Sequence, residues 1–343
     1  MPNLRQDPLT GEWVIVATER ARRPETFAPP KKEKKITLPS RVENCPFCPG
    51  NEHMTPPEVL AYRGEPNRGK PDTPGWSLRV IPNKFPALEQ DKNGKLPDFG
   101  GPDKWNFFKN FDGYGVHEVI IETPDHNRQM ADLSVAELAL VLRSFKERLL
   151  ALAEDPQLKY VQIFRNHRRE AGASIEHPHG QLIALPYIPP LLEKEYRRCQ
   201  EYYAEKKRCL LCTQQEEEEK SGERVVLENE SFLAYIPFAA PLPFTTWIVP
   251  RRHASSLEKG EEGWEESLAP LLKSFLTKLD EKLEDPPYNF YFHLAPLRSG
   301  SRPDYHWHLE IIPKLTIVAG LEMATGTYIN VSRPEEAAKF LRA

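Results

Sequence analysis

The sequence predicts an α+β protein built from two copies of one α+β unit. One series of motifs occurs twice in the same order, and each copy contains a run with helical periodicity between short apolar strands. The chain has 343 residues, of which 39% are hydrophobic. At roughly 150 residues per domain, this length suggests about two domains with substantial cores. We place the N-terminal domain at 1–190 and the C-terminal domain at 191–343.

The first copy begins with the pair Cys45 and Cys48. It continues with an apolar strand before a lone histidine, an amphipathic helix, a second strand, and a His-x-His motif that leads into a third strand. In order, these elements are 119–121, His126, 135–153, 160–166, His177 with His179, and 181–186.

The second copy repeats the series from Cys209 and Cys212 onward. Its elements are 245–250, His253, 268–283, 288–293, His306 with His308, and 309–313. The lone histidine precedes the His-x-His motif by 51 residues in the first copy and 53 in the second. The first copy carries an insertion, which we assign to the loop-like, Pro/Gly-rich stretch 64–117. The charged stretch 191–224 between the copies is typical of a solvated linker helix.

Composition excludes several classes of protein. The 46 basic and 50 acidic residues give a net charge of −4, so the chain lacks the basic excess of a general nucleic-acid binder. No apolar run approaches the roughly 18 residues of a membrane span, and the N-terminus lacks the apolar segment of a signal peptide. We therefore expect no nucleic-acid or membrane partner and a cytoplasmic location.

Four of the five cysteines form two Cys-x-x-Cys pairs, and Cys199 is left over. Such pairs indicate either metal chelation or a redox couple. A redox couple needs its pair at the start of a helix, whereas Cys45-Pro-Phe-Cys48-Pro-Gly is a proline-rich turn, which favours metal. The pair Cys209 and Cys212 is weaker alone and gains its weight from the repeat.

Each Cys pair, its lone histidine and the first histidine of its His-x-His motif together supply four N/S ligands. Such a set is a complete tetrahedral shell for zinc with no open position, so we predict two structural Zn²⁺ sites per chain. The two predicted sets are Cys45, Cys48, His126 and His177, and Cys209, Cys212, His253 and His306.

His179 is left outside the first metal set and is the candidate nucleophile for attack on phosphorus. The small-residue turn Gly172-Ala173-Ser174 lies upstream, and its backbone N–H groups are predicted to cradle a phosphate. Gln181 can donate a hydrogen bond but cannot give up a proton. A glutamine there favours nucleotidyl transfer with a phosphate leaving group, which needs no general acid.

His177-Pro-His179-Gly-Gln181, with Cys45-Pro-Phe-Cys48-Pro-Gly-Asn51 and Pro124-Asp-His126, resembles the galactose-1-phosphate uridylyltransferase family of the histidine-triad superfamily. The resemblance implies two fused histidine-triad-like halves, each an antiparallel sheet with packed helices, and a zinc-containing homodimer. It also implies a ping-pong reaction in which UDP-glucose uridylylates the second histidine of the motif. A hexose 1-phosphate, galactose 1-phosphate in the family, then accepts the uridylyl group.

The resemblance assigns roles to individual residues. His179 would be the nucleophile, with Gln181 and Ser174 holding the phosphoryl oxygens. Asn166 and Gly172 would line the same phosphate site. The implied nucleotide-binding residues are Arg20, Arg23, Asn83 and Phe85, and the implied sugar contact is Glu322.

Two alternatives concern the second metal and the substrate. The family's second site, in which iron is possible, would correspond to Glu195, His293, His306 and His308. The predicted cysteine set is similar to the second site of the related ADP-glucose phosphorylase branch. The two alternative sets share His306, and we favour the cysteine set because it copies the first half. The segment 324–330 also resembles that branch, whereas the His-Pro-His-Gly-Gln motif matches the uridylyltransferases.

The alternative activities are therefore an ADP-glucose phosphorylase or a dinucleoside-polyphosphate phosphorylase. An alternative of another class is a non-catalytic, zinc-stabilised module that binds nucleotides or a protein partner.

Overall fold

A computed structural model of the chain describes residues 2–22, 39–65, 69–90 and 112–343. Ten strands form one sheet in the order β3-β4-β5-β7-β6-β11-β12-β10-β9-β8, and every neighbouring pair in it is antiparallel. Its strands are β3 (Leu60–Arg63), β4 (Trp76–Pro82), β5 (Val116–Ile121), β6 (Tyr160–His167), β7 (His179–Leu185), β8 (Val225–Glu228), β9 (Phe232–Tyr235), β10 (Thr246–Pro250), β11 (Tyr288–His293) and β12 (His308–Pro313).

A second sheet has three strands in the order β1-β2-β13, with β2 and β13 parallel. Its strands are β1 (Asn3–Gln6), β2 (Trp13–Val16) and β13 (Tyr328–Asn330). The helices are α1 (Val135–Ala153), α2 (Pro190–Lys206), α3 (Leu210–Ser221), α4 (Trp264–Leu283), α5 (Gly320–Thr325) and α6 (Pro334–Arg342). The predicted α+β class with antiparallel sheets is confirmed.

The two halves of the chain join in the middle of the large sheet. Strand β6 of the first half pairs with β11 of the second, from Tyr288 opposite His167 to Tyr291 opposite Phe164. The repeated units therefore share one continuous sheet.

The two faces of this sheet have different coverings. Helices α1 and α4 pack on each other, and Leu142 and Phe145 of α1 join Leu182 of β7 and Phe292 of β11 in the main core. Strand alternation places His179 and Gln181 on the opposite face from Gly180 and Leu182. A small core that contains Cys45, Phe47, Cys48, Val119 and Ile121 covers the face that carries His179.

Helix α1 has the bounds that its periodicity predicts. Ser134 Oγ accepts a hydrogen bond from Glu137 N–H at 3.3 Å, and the Glu137 carboxylate accepts one from Ser134 N–H at 2.7 Å. This capping box satisfies two backbone donors that the first turn leaves free. Leu138, Leu142, Phe145 and Leu149 bury one face against the sheet.

Three expectations need correction. The stretch 64–117 is not loop throughout, because Trp76–Pro82 forms strand β4, in which five of the seven residues are buried. The stretch 191–224 is two helices, α2 and α3, rather than a solvated linker, since α2 buries Leu192, Tyr196 and Cys199. Helix α4 begins at Trp264 rather than at 268, because Trp264 itself packs into the core against Trp307.

Candidate active site and metal centres

The first Cys-x-x-Cys turn and two histidines converge on one buried point. The ligand atoms of Cys45, Cys48, His126 and His177 all lie within 4.8 Å of one another, and all four residues are buried. Cys48 Sγ is 3.5 Å from His126 Nδ1 and 3.6 Å from His177 Nδ1. The structure thus brings together the four residues of the first predicted set.

The donor atoms of this cluster suit a soft or borderline cation such as Zn²⁺. His177 Nε2 donates to the Thr123 carbonyl at 2.8 Å, which leaves the Nδ1 lone pair facing the sulfurs. Burial lowers the pKa of His177 to about 4 and raises that of Cys45 to about 11. The imidazole is therefore a neutral ligand, and Cys45 is expected to ionise when a cation compensates its charge.

The second predicted set also converges. Cys209 is the residue immediately before α3, and Cys212 Sγ lies 3.3 Å from His253 Nδ1 and 3.2 Å from His306 Nδ1. His253 Nε2 donates to the Arg302 carbonyl at 3.0 Å, which turns its Nδ1 toward the sulfur as in the first cluster. Unlike the first cluster, this one is partly open to solvent, because Cys212 is half-buried and His253 is exposed.

A third group of candidate ligands lies on the face of the large sheet that carries His179 and Gln181. His293, His308 and Glu310 have potential ligand atoms within 4.8 Å of one another. His293 Nδ1 is 2.9 Å from Glu195 and its Nε2 is 3.2 Å from Glu310. Burial lowers the pKa of His293, but these two carboxylates outweigh it and raise the value to about 10. Of the alternative set Glu195, His293, His306 and His308, only His306 belongs to the cysteine cluster.

His179 stands directly beside the first metal cluster but outside it. Its Nδ1 donates to the His177 carbonyl at 2.8 Å, which fixes the tautomer and leaves the Nε2 lone pair free. Burial lowers the pKa of His179, so the ring is neutral at pH 7. The Phe47 ring packs edge-on against it at 5.5 Å between centroids. This is the state that a nucleophilic imidazole requires.

Gln181 follows His179 on the same face of β7, and its Oε1 is 3.0 Å from His117 Nε2. Sequence reasoning missed both His117 and Phe47. The signal for Phe47 was its position between Cys45 and Cys48. The sequence offered none for His117, whose approach to Gln181 depends on the pairing of Val119 with Gln181 in the sheet.

The predicted backbone phosphate cradle at Gly172-Ala173-Ser174 needs correction. The Gly172 N–H donates to the Arg169 carbonyl at 2.9 Å, and the Ala173 N–H donates to the Arg168 carbonyl at 3.1 Å. Arg168 and Gly172 both adopt positive φ, and the tight turn that results uses these donors internally. Two of the three predicted backbone donors are therefore unavailable to a phosphate, and exposed Ser174 and the side-chain amide of Asn166 remain candidate donors of this loop.

The remaining predicted binding residues are dispersed. Arg20 is exposed in a short turn of 3₁₀ helix, and Arg23 lies outside the described residues. Asn83 approaches His117, with its Nδ2 3.2 Å from Nε2, whereas the Phe85 side chain is 84% exposed. Glu322 caps its own helix α5 by accepting from Ala319 N–H at 3.1 Å.

Comparisons with known proteins agree with this architecture. The sequence models of the galactose-1-phosphate uridyl transferase N-terminal and C-terminal domains match residues 1–189 and 195–343. An ADP-glucose phosphorylase of Arabidopsis thaliana is 36% identical over 346 residues, covering 99% of this chain and 92% of that protein. A galactose-1-phosphate uridylyltransferase of Thermotoga maritima is 32% identical over 350 residues, covering 100% and 98%.

Solved structures show the same relationships. The crystal structure of the Arabidopsis thaliana ADP-glucose phosphorylase with bound ADP-glucose matches with a TM-score of 0.82 at 34% identity, covering 100% of this chain and 98% of that one. A uridylyltransferase structure matches with a TM-score of 0.74 at 27% identity, covering 100% and 97%.

Fold, site and relatives together define an α+β enzyme of the nucleotidyltransferase class. Within that class, the chain belongs to the galactose-1-phosphate uridyl transferase family. No helix among the described residues is both long and apolar enough to span a bilayer.

Proposed function

We propose that the chain transfers a uridylyl group from UDP-glucose to a hexose 1-phosphate through a covalent bond to His179. The observation that carries this proposal is the state of the His179 ring. Its Nδ1 is committed to the His177 carbonyl, and its Nε2 is free beside the metal cluster rather than part of it. The relatives named galactose-1-phosphate uridylyltransferase support the transferred group and the acceptor.

The proposed chemistry has two balanced steps. His179 Nε2 attacks the α-phosphorus of UDP-glucose, the bond from that phosphorus to the bridging oxygen breaks, and glucose 1-phosphate leaves with the electron pair. A phosphate oxygen of galactose 1-phosphate then attacks the same phosphorus, and the His179 nitrogen leaves. In the covalent intermediate, the hydrogen bond from His179 Nδ1–H to the His177 carbonyl stabilises the positive charge on the uridylylated ring.

Gln181 fits this chemistry because the leaving group is a sugar phosphate. A phosphate monoester is a weak base near neutral pH and departs without a proton. The side-chain amide can donate a hydrogen bond to a phosphoryl oxygen, so it stabilises charge without acting as an acid. We further propose the domain division at 190/191, and the homodimer implied by the family resemblance stays a prediction.

A second candidate is an ADP-glucose phosphorylase-like activity, with the same nucleophile and inorganic phosphate as acceptor. Two observations favour it. The Arabidopsis thaliana ADP-glucose phosphorylase is 36% identical over nearly the whole chain, and the second metal cluster contains Cys209 and Cys212.

The decisive experiment is single-turnover labelling with UDP-glucose that carries radiolabel in the α-phosphate. We expect the wild type to retain label and His179→Ala to retain none, because only the free Nε2 can form the bond. His53→Ala removes an exposed imidazole and is the matched control, expected to label like the wild type. Equal labelling of His179→Ala and wild type would remove the nucleophile assignment.

Chasing the labelled enzyme with different acceptors separates the two candidates. Galactose 1-phosphate should release labelled UDP-galactose if the chain is a uridylyltransferase. Preferential labelling by ADP-glucose and release of ADP by inorganic phosphate would instead establish the phosphorylase activity.

A further inference from the structure

The proposed phosphate site contains two side-chain amides. The orientation of each amide determines whether its NH₂ group or its oxygen faces the anion. A Gln or Asn amide presents either an NH₂ donor or a carbonyl acceptor, and its hydrogen-bond network determines which. Because the Gly172 and Ala173 N–H groups bond within their own turn, the amides of Gln181 and Asn166 gain importance as donors.

The orientation of the Gln181 amide follows from a backbone N–H group, which can only donate a hydrogen bond. The Ala87 N–H donates to His117 Nδ1 at 3.1 Å, so Nδ1 is unprotonated and the neutral ring carries its proton on Nε2. That proton is donated to Gln181 Oε1 at 3.0 Å. Asn83 cannot accept that proton, because its Oδ1 accepts from Phe85 N–H and it turns its NH₂ toward Nε2; this 3.2 Å approach of two donors is not a hydrogen bond.

The orientation of the Asn166 amide follows from a backbone carbonyl group, which can only accept a hydrogen bond. Asn289 Nδ2 donates to the Ala171 carbonyl at 2.8 Å, which fixes the orientation of the Asn289 amide. The same NH₂ donates to Asn166 Oδ1 at 2.8 Å. The Asn166 NH₂ is therefore the free end of that amide, and it lies 3.4 Å from the place a Cβ on Gly172 would occupy.

The two partners come from opposite sides of the nucleophile's strand. His117 belongs to β5, which pairs with β7, and Asn289 belongs to β11 in the C-terminal half, which pairs with β6. Register places Gln181 opposite Phe164, two residues before Asn166 on β6, so both amides lie on the same face of the sheet.

We propose that His117 and Asn289 are positioning residues that occupy the amide oxygens of Gln181 and Asn166 and thereby direct both NH₂ groups toward the transferred phosphoryl group. This inference rests on the proposed function, and neither residue needs to touch the substrate. It assigns to the C-terminal half a part in the chemistry of the N-terminal half.

Two substitutions at His117 separate positioning from scaffolding. His117→Gln reaches the Nε2 position with an NH₂ donor but loses the acceptor for Ala87, whereas His117→Asn keeps an acceptor near Nδ1 and loses the donor to Gln181. We expect the rate of His179 labelling to stay within about 3-fold of wild type in His117→Gln and to fall about 10- to 100-fold in His117→Asn, the range for one lost donor to a charged group. A purely structural role predicts the reverse order.

A graded pair tests Asn289. Asn289→Ala lets the Asn166 amide rotate, and Asn289→Asp, with two acceptor oxygens, enforces the flipped amide. The expected order of labelling rates is wild type, then Ala, then Asp, with dissociation constants for UDP changed far less than the rates. Asn330→Asp is the matched control, because its amide likewise donates to a buried carbonyl, that of Ala240 at 2.8 Å, in the small sheet.

Thermal melts of every variant accompany the rates. Wild-type rates in both His117→Asn and Asn289→Asp, with His179→Ala still unlabelled, would overturn the inference and leave the proposed function standing. Rates that fall only in proportion to lost folded protein would also overturn it. A wild type that takes no label from UDP-glucose or ADP-glucose overturns the proposed function and the inference together.

Discussion

His179 and His308 occupy matching places in the two halves, since each is the first residue of the strand that follows its His-x-His motif. His179 is 7% exposed, whereas His308 is fully buried. The ring of His308 stacks on His293 at 4.3 Å and packs against Trp247 at 4.6 Å between centroids. The second imidazole therefore has no access for a nucleotide, and the proposed covalent bond forms only on the histidine of the first half.

The metal ligands make a prediction at the scale of single residues. We propose that both Cys₂His₂ clusters hold zinc, so elemental analysis should find about two equivalents per chain. Cys48→Ser and Cys212→Ser should each lose one equivalent and melt at lower temperature, because ion binding stabilises only the folded chain.

Cys199→Ser is the control for this measurement, since Cys199 is free, buried and outside both clusters. It should retain the full metal content. A zinc content unchanged by Cys212→Ser would rule out the cysteine set and favour the group around His293.

Among the helices, α1 supports the sheet beneath β7, the strand of His179, and its N-terminus depends on one hydroxyl group. Ser134→Ala removes the acceptor for the Glu137 N–H, and we expect it to lower the free energy of unfolding by about 1 kcal/mol. Urea denaturation followed by circular dichroism measures this difference.

Ser274→Ala is the matched control for the cap, because Ser274 lies inside helix α4 with its hydroxyl bonded to the Pro270 carbonyl. Alanine has the higher helix propensity there, so this change should be neutral or slightly stabilising. Equal losses in both variants would show that the cap contributes nothing specific.

At the scale of the whole molecule, the two halves share a sheet and a core. The rings of Phe145 in α1 and Phe292 in β11 meet edge to face at 5.9 Å between centroids, and both belong to one hydrophobic cluster that extends through both halves. A boundary near residue 190 is therefore a boundary in the sequence rather than a gap in the packing.

This shared core predicts a single cooperative unfolding transition. Phe145→Ala and Phe292→Ala should each lower the stability of the whole chain by about 3–5 kcal/mol and shift the far- and near-ultraviolet circular dichroism transitions together. Two separated transitions, only one of which responds to Phe145→Ala, would contradict the shared core.

The local features and the two candidate ligand sets could be predicted from the sequence. Helix α1 follows from its period and cap, and β11 has its predicted bounds, because both depend on residues near one another in the chain. Both Cys₂His₂ sets could be predicted from spacing, since a closed tetrahedral shell needs four particular donors in each repeat.

How the two halves combine depends on contacts between residues that are far apart in the chain. Asn166 and Asn289 are 123 residues apart and meet because β6 pairs with β11, and no local pattern encodes that long-range register. The same holds for the contact between His117 and Gln181, 64 residues apart. The orientation of a side-chain amide depends on such contacts. The orientation of the proposed phosphate donors therefore could not be predicted from residue types alone.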